Sequence, residues 1–302
     1  MNTPPFTITA VERETGLSKD VLRVWERRYG FPTPERDAHG ERLYLPEQVA
    51  RLCLIKRLMD QGHRPGKLVN ASAEELAGML PRGVTASGNA VPESTDTALH
   101  ELIEILRAHE ATALAQALQE RLVREGLQRF VLDTIAPLTR LVGEAWEQGR
   151  LQVFEEHLFT EQAKRVLRQA IATLPAQRRG PRIVLTTVPD EQHVLGLLMV
   201  EALFALEGAE CITLGSQMPL LEIARAVEAH QAEIVALSFS AAFPRRQIAS
   251  LLIQLREMLP PRTALWIGGS GAGGLGAIVG VEAFAGLEAS LAGLLAWRKT
   301  QA

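Results

Sequence analysis

A histidine follows a buried-looking apolar run in the C-terminal half of the chain, within the hexapeptide EQHVLG at residues 191–196. The run before it, IVLTT at residues 183–187, is typical of a strand, and the residues after Gly196 favour a helix. His193 therefore lies at a strand-to-helix loop, where a ring nitrogen can reach a metal in a cofactor lying over the sheet. A histidine at such a place is also commonly a hydrogen-bonded loop residue.

The spacing of Glu191, His193 and Gly196, E-x-H-x-x-G, resembles the D-x-H-x-x-G signature of cobalamin-binding domains. The resemblance implies that His193 is the lower ligand of cobalt and that the acidic residue hydrogen-bonds the other ring nitrogen. Glu191 stands here where aspartate is more common. Three fixed residues recur by chance, so the neighbouring sequence has to support the assignment.

Short β-branched runs alternate with helical segments after Gly180. They predict strands at residues 183–187, 210–214, 233–238 and 264–269, with a weaker fifth at 279–283. This rhythm predicts a doubly wound parallel sheet. The signature G-x-G-x-x-G of dinucleotide-binding domains is absent after the first of these strands, which argues against an NAD enzyme.

The ends of the third and fourth predicted strands carry small residues. The resemblance implies that Ser238 and Ser240 offer hydroxyls where the displaced dimethylbenzimidazole tail of cobalamin would thread. Gly268 and Gly269 follow the fourth strand, where the lack of a Cβ would let a nucleotide tail lie against the backbone. A glycine-rich loop is also a common phosphate cradle.

Alanine and leucine recur at helical spacing from Thr97 to about Leu174, with breaks near His109, at residues 124–126 and at Gly149. Four helices, and therefore a bundle, are predicted. Trp146 is followed ten positions later by Glu156 and His157. This W-x9-E-H spacing resembles that of the CarH/LitR group of cobalamin-dependent MerR-type photoreceptors, in which the three side chains pack around the adenosyl group. The alternative is that Trp146 packs in the core of the bundle and that Glu156 and His157 are solvent-exposed residues at the start of a helix.

The N-terminal segment predicts a short helix from Thr7, a turn with Gly16, and a second helix capped by Ser18 whose buried face includes Leu22 and Trp25. The stretch LRVWERRYG at residues 22–30, the wing at 29–36 and 40–44, and the next helix at 46–61 are similar to the MerR-type winged helix-turn-helix. The resemblance implies contacts of three residues with the DNA backbone, Arg27, Arg42 and Tyr44, and of three with bases, Lys19, Asp20 and Arg23.

Composition restricts the remaining choices. The 302 residues are 47% hydrophobic and 22% charged, and their formal net charge is −3. DNA binding therefore depends on a local group of cations. The candidates are Arg23, Arg27, Arg28, Arg36 and Arg42. Residues 1–70 hold 12 Lys and Arg against 9 Asp and Glu. Cys53 and Cys211 lack metal-type spacing and are predicted to be small core residues. No secretory signal or long apolar run is seen, so we expect a cytoplasmic protein.

These features together predict a multidomain α and α/β protein: a winged helix-turn-helix (1–76), a linker (77–96), a four-helix bundle (97–177) and a cobalamin-binding Rossmann-like sheet domain (178–302). The resemblance implies a repressor controlled by adenosylcobalamin and light through Co–C photolysis and a change in homo-oligomeric state, with double-stranded operator DNA as partner and no membrane.

One residue departs from the photoreceptor pattern. Glu147 stands where that group has the histidine that takes the upper cobalt position after photolysis, and a carboxylate is a weaker ligand for cobalt. This keeps open a regulator that senses cobalamin or a protein partner without light. A corrinoid enzyme or methyl carrier is a further alternative, but no nucleophile and base pair or metal triad accompanies His193.

Overall fold

A computed structural model of the chain describes residues 5–60, 63–72, 75–76, 79, 93–175 and 180–301. The chain divides into two compact units, residues 1–88 with 147–150, and residues 89–146 with 151–302. In the described residues no helix is long and apolar enough to cross a membrane.

The N-terminal unit joins short helices to a small antiparallel sheet of order β1-β3-β2. Its elements are β1 (Phe6–Thr7), α1 (Ile8–Thr15), α2 (Lys19–Tyr29), β2 (Glu35–Arg36), β3 (Arg42–Tyr44), α3 (Pro46–Asp60) and α4 (Pro65–Leu68). The Ser18 hydroxyl accepts a hydrogen bond from the Val21 amide at 3.3 Å and caps α2, as predicted. Leu22 and Trp25 are buried, so the winged helix-turn-helix and the core position of Trp25 are confirmed.

A helical bundle begins the second unit. Its elements are α5 (Glu93–Arg107), α6 (Ala111–Glu125), α7 (Leu127–Arg129), a π-helical stretch (Phe130–Ile135), α8 (Ala136–Glu147) and α9 (Val153–Ala172). The π-helical stretch continues from α7 into α8, and such stretches occur frequently at functional sites. The first helix of the bundle begins at Glu93, four residues before the predicted bundle start at residue 97. Of the predicted linker, residues 77–78 and 80–92 lie outside the described residues.

The rest of this unit is a doubly wound parallel sheet, which confirms the predicted fold class. Its elements are β4 (Arg182–Thr186), α10 (Leu195–Leu206), β5 (Glu210–Gly215), α11 (Leu220–His230), β6 (Ile234–Ser238), α12 (Arg245–Met258), β7 (Ala264–Gly268), a 3-10 turn (Ser270–Ala272), β8 (Val281–Ala283) and α13 (Leu287–Gln301). The strand order is β5-β4-β6-β7-β8. The order reverses between β4 and β6, and ligands of such sheets bind in the crevice beyond the strand ends at this point.

Both faces of the sheet are covered. Alternate strand residues on one face, such as Leu185 and Trp266, pack into one core with α10 and the bundle. Those on the other face, such as Val184 and Leu265, share a second core with α11 and α12. Burial on both faces explains why these strands read as continuous apolar runs in the sequence.

One of the two cysteines differs from its prediction. Cys53 is exposed, so its assignment to the core was wrong: α3 buries Leu52 and Ile55, and Cys53 lies on another face of the same helix. Cys211 on β5 is partly buried, and this burial raises the pKa of its thiol to about 12. A thiol with so high a pKa is a poor nucleophile at neutral pH.

Candidate cofactor and DNA-binding sites

The exposed face of α2 carries cations, as the sequence predicts. Arg23, Arg27 and Arg28 are exposed, and Arg23 Nη1 lies 3.1 Å from Asp20 Oδ1 one turn away. Lys19 Nζ lies 3.7 Å from Glu12 Oε2 on α1. Exposed pairs of this kind contribute little to stability, so their partners can exchange for phosphate at small cost.

The wing strand β3 is tied to α2 by an ion pair. Arg42 Nε donates to Glu26 Oε2 at 2.7 Å, and this bond raises the pKa of the Arg42 guanidinium. On the neighbouring strand, Arg36 Nη1 donates to the Gly40 carbonyl at 2.7 Å and closes the wing hairpin. The wing is therefore fixed relative to the helix that is expected to read DNA.

Tyr44 does not lie on the DNA-facing surface expected from the resemblance. The side chain is fully buried, and its hydroxyl finds no hydrogen-bond partner within the part of the chain that the structure describes. Residues two apart on a strand share a face, and Arg42 contacts α2, so Tyr44 is directed into the same helix-covered side. Burial raises the pKa of its hydroxyl. Tyr44 is a core residue in this structure and reaches no surface where phosphate could bind.

A second pair of exposed cations, Arg64 and Lys67, lies at the start of α4 and was not among the predicted residues. The element lies close to the end of α2, because a Cβ built on Gly66 would be 3.1 Å from the Tyr29 hydroxyl oxygen. In the sequence this pair is visible only as two cations on either side of Pro65-Gly66, a pattern too short to indicate DNA binding by itself.

The loop after β4 builds a three-residue site around a buried carboxylate. Glu191 is 1% exposed. Its Oε1 accepts hydrogen bonds from His193 Nδ1 at 2.8 Å and from the His193 amide at 2.9 Å. Its Oε2 accepts from the Ser240 amide at 2.7 Å and the Ser240 hydroxyl at 2.9 Å. Because Nδ1 is held by the carboxylate, Nε2 is the ring nitrogen left to ligate a metal.

Electrostatics strengthens this arrangement. Burial acts to raise the pKa of Glu191, but hydrogen bonds from His193 and Ser240 outweigh it and hold the pKa below its ordinary value. The Glu191 hydrogen bond raises the pKa of His193, against a smaller opposing effect of burial. The carboxylate therefore stays charged at neutral pH and increases the basicity of the imidazole.

Hydrogen bonds of the Thr187 side chain hold the loop in place. The Thr187 hydroxyl donates to the Glu191 carbonyl and accepts from the Gln217 amide at 2.8 Å. Gly196, in the first turn of α10, lies close to β6, since a Cβ there would lie 3.1 Å from Ser238 Oγ. Glycine at this position lets α10 approach the sheet next to the site.

A cavity of about 800 Å³ opens at the carboxyl ends of β6 and β7. Its mouth includes Ser238, Gly268 and Gly269, and its walls come from both strands, α10, the loop after β8 and the start of α13. Leu132 of the π-helical stretch and Ala136 of α8 also line it. The cavity is therefore shared between the sheet and the bundle of this unit.

The two glycines at the mouth have different roles. A Cβ on Gly268 would meet its nearest neighbour among the described residues, the Phe284 carbonyl, at 3.8 Å, so no contact within that part of the chain requires glycine here, and the space belongs to the cavity. Gly269 has φ +92°, and its Cβ would lie 2.3 Å from the Phe239 carbonyl. The backbone itself therefore requires glycine at position 269, and the predicted contact of Gly269 with a ligand stays a prediction.

Glu156 and His157 lie at the start of α9. Glu156 Oε2 is 2.6 Å from His157 Nδ1, and Glu156 Oε1 accepts from the Thr160 hydroxyl at 2.8 Å. The charge of Glu156 also contributes to the raised pKa of His193. Trp146, at the end of α8, is partly buried and packs against the bundle core.

These residues fit a corrin-bound cobalt with a nucleotide tail. An oriented imidazole stands at the sheet edge, and beside it a cavity with a glycine mouth runs into the sheet domain. Trp266 Nε1, on a residue lining this cavity, is buried and finds no hydrogen-bond partner among the described residues. A buried donor without an acceptor fits a cavity that receives a ligand with acceptor atoms.

Family models match three parts of the chain. Residues 6–71 match the MerR HTH family of regulatory proteins. Residues 98–171 and residues 181–274 match two models that are each described as a B12 binding domain. Fold, site and family models together define a DNA-binding regulator that binds cobalamin.

Two relatives from Myxococcus xanthus make the assignment more specific. The chain is 31% identical over 271 residues to the HTH-type transcriptional repressor CarH, covering 88% of this chain and 89% of that protein. It is 27% identical over 266 residues to the HTH-type transcriptional repressor CarA, covering 88% and 86%. The chain belongs to this family of MerR-type transcriptional repressors with C-terminal cobalamin-binding domains.

A solved structure shares the fold of about two thirds of the chain. The monomethylamine corrinoid protein of Methanosarcina barkeri superposes with a TM-score of 0.54 at 15% identity, covering 67% of this chain and 99% of that one. At this identity the likeness extends to the fold alone.

Proposed function

We propose that this protein is a repressor whose binding to operator DNA is controlled by adenosylcobalamin and by light. The observation that carries the proposal is the buried Glu191, which orients His193 on the loop that leads to Gly196, a residue that lines the cavity. His193 is the lower cobalt ligand in this proposal, and the cavity takes the nucleotide tail. The charge of Glu156 contributes to the raised pKa of His193, which supports α9 as the element that would lie beside an adenosyl group.

The cofactor supplies a Co–C bond that light can break. The residues of the chain hold the cofactor and respond to loss of its upper group. Trp146, Glu156 and His157 are proposed to pack against that group, so that its departure changes the bundle. In darkness, assembly of several chains would raise the local concentration of DNA-binding heads on one operator. Arg23 and Lys19 would read bases, with Arg27, Arg28, Arg36 and Arg42 placed near phosphates.

An absorption experiment tests this proposal. The purified protein is mixed with adenosylcobalamin in darkness, and spectra are recorded before and after green illumination together with operator binding. We expect a His-ligated spectrum in darkness, a spectral change with light, and weaker operator binding afterwards. A spectrum that changes with light while operator binding stays constant would contradict control by light.

Glu147 favours a second candidate, a regulator that responds to cobalamin without light. In place of the family's histidine this chain offers a carboxylate, so a lasting two-imidazole state of cobalt is not expected after photolysis. Glu147→Gln, which removes the charge without adding an imidazole, is the matched control for Glu147→His.

Glu147→His should create a stable spectrum of cobalt held by two imidazoles after illumination, whereas Glu147→Gln and the unsubstituted protein should release the cofactor more readily. A two-imidazole spectrum in the unsubstituted protein would show that another histidine supplies the upper ligand. His157 would then be the first residue to replace.

A further inference from the structure

Three aromatic rings that contact one another line the cavity. Trp266 is 2% exposed, and its ring meets Phe284 at a centroid distance of 5.0 Å and 71° and Phe204 at 6.1 Å and 75°. All three residues line the cavity. Edge-to-face contacts on two sides hold the indole in one orientation.

Register shows how deep the indole lies. Ser238 pairs with Gly268 at the mouth, and Ala236 pairs with Trp266 two residues further into the sheet. Two strand residues correspond to about 7 Å. If His193 at the sheet edge holds the cobalt of a corrinoid, the nucleotide tail is the part of that ligand that can extend this far into the sheet.

Trp266 Nε1 is a polar atom of this region that requires a hydrogen-bond acceptor. It is buried and has no acceptor among the described residues. The Ser290 hydroxyl in the same cavity already donates to the Leu287 carbonyl at 2.7 Å. Ser238 is only half-buried at the mouth, so water can satisfy its hydroxyl. The indole N–H therefore bears a desolvation cost that an acceptor on the ligand would remove.

The tail of cobalamin brings such an acceptor. Its benzimidazole carries a ring nitrogen that ligates cobalt in free cobalamin, and this lone pair becomes available when His193 takes that position. In an apolar cavity the nitrogen needs a donor as much as the indole needs an acceptor. We propose that Trp266 reads the lower base of the corrinoid by donating its indole N–H to this ring nitrogen. The proposal rests on the proposed cobalamin function and adds the chemical feature that the cavity selects.

The test compares three probes in darkness with the full chain. Cobalamin has the ring nitrogen, a corrinoid with a phenolic lower base lacks it, and cobinamide lacks the whole nucleotide. Trp266→Phe keeps an aromatic ring and removes the donor. Its dissociation constant for cobalamin should rise about tenfold, the effect of one lost buried hydrogen bond, while those for the other two probes should stay within about twofold.

Two further variants serve as comparisons. Trp297→Phe makes the same exchange on a residue that packs against the same core without being part of the cavity lining, so it should leave all three affinities unchanged. Ser238→Ala removes the rival donor. Equal losses for cobalamin and the phenolic corrinoid in Trp266→Phe would overturn the proposal, as would a cobalamin-selective loss in Ser238→Ala alone.

A second measurement keeps the proposal testable if Trp266→Phe does not fold. The indole N–H resonance of Trp266 in the unsubstituted protein should move downfield with cobalamin and not with the phenolic corrinoid. An identical shift with both probes would contradict the hydrogen bond. Failure of the unsubstituted protein to give a His-ligated spectrum with any probe would overturn the proposed function as well, whereas normal binding with an unaffected Trp266→Phe variant overturns this proposal alone.

Discussion

Glu191 connects two parts of the chain that lie 49 residues apart, since one carboxylate oxygen holds His193 and the other holds Ser240. Aspartate, the commoner residue of the signature, is one methylene shorter. The glutamate keeps both contacts while it is almost fully buried. The imidazole is thereby fixed in position and in tautomer before any cofactor binds, and such preorganisation reduces the cost of ligation.

His193→Ala should abolish the His-ligated spectrum and weaken cobalamin binding by more than tenfold, since loss of an outer-shell partner alone costs about 10- to 100-fold in metal affinity. The absorption spectrum and the dissociation constant in darkness measure this. His157→Ala is the matched control, an imidazole replaced at the start of α9, and it should keep the His-ligated spectrum. A variant His193→Ala with the spectrum of the unsubstituted protein would contradict the ligand assignment.

The Glu191 and His193 pair should make stability depend on pH in the cofactor-free protein. The lowered pKa of Glu191 contributes stability above the ordinary value of 4.5, which is lost as pH falls through the folded pKa. The raised pKa of His193 contributes stability below the ordinary value of 6.5, which is lost as pH rises through the folded pKa. The charged pair is therefore most effective between these two ordinary values.

Glu191→Gln should accordingly lower the unfolding midpoint most between these pH values. The deficit should narrow as pH rises past the raised pKa of His193, with a constant part from the bonds to Ser240. Thermal unfolding of both proteins across pH measures this. A deficit that stays the same above neutral pH would show that the charged pair adds nothing.

At the scale of elements, α2 and the wing form one rigid surface for DNA binding, because Arg42 on the wing is bound to Glu26 on the helix. Arg23→Ala should relax sequence preference at one operator position at a cost of about 1 to 3 kcal/mol, as for a base-edge contact. Arg42→Ala should weaken all sequences alike and flatten the salt dependence. Operator binding against salt separates them, and Glu26→Gln, which frees Arg42, is the comparison. Identical behaviour of the Arg23 and Arg42 variants would mean that the helix and wing roles are wrong.

Much of the element structure could be predicted from sequence. The strands of the sheet were predicted because parallel strands covered on both faces are continuous apolar runs, and α2 because Ser18 caps it and Leu22 and Trp25 give it one apolar face. The π-helical stretch Phe130–Ile135 could not be predicted, since it differs from an α-helix by hydrogen bonding that leaves no clear periodic signal.

The site was predicted only in part. His193 and Glu191 are neighbours in sequence, so their spacing carried the signal, whereas the bond from Ser240 to Glu191 depends on how the sheet pairs β4 with β6. Tyr44 was placed on DNA by resemblance, and its burial follows from which face of a three-residue strand meets the helix. Trp266 looked like any strand residue because cavity lining depends on tertiary packing.

At the scale of the whole molecule, the family combines a DNA-binding head with a cobalamin-binding domain in one chain. Our proposal is that the cofactor controls how many such heads act together on an operator. Binding that favours an assembled form over the single chain shifts the equilibrium by mass action, and removal of the upper group reverses it. His193 is the residue through which this control should pass.

The most direct test of this control is the molar mass of the protein loaded with adenosylcobalamin, measured by light scattering on a size-exclusion column in darkness and after green illumination. The account predicts an oligomer in darkness that falls to a smaller species with light, and no such oligomer for His193→Ala under the same conditions. One unchanged mass in darkness, in light and without His193 would contradict it.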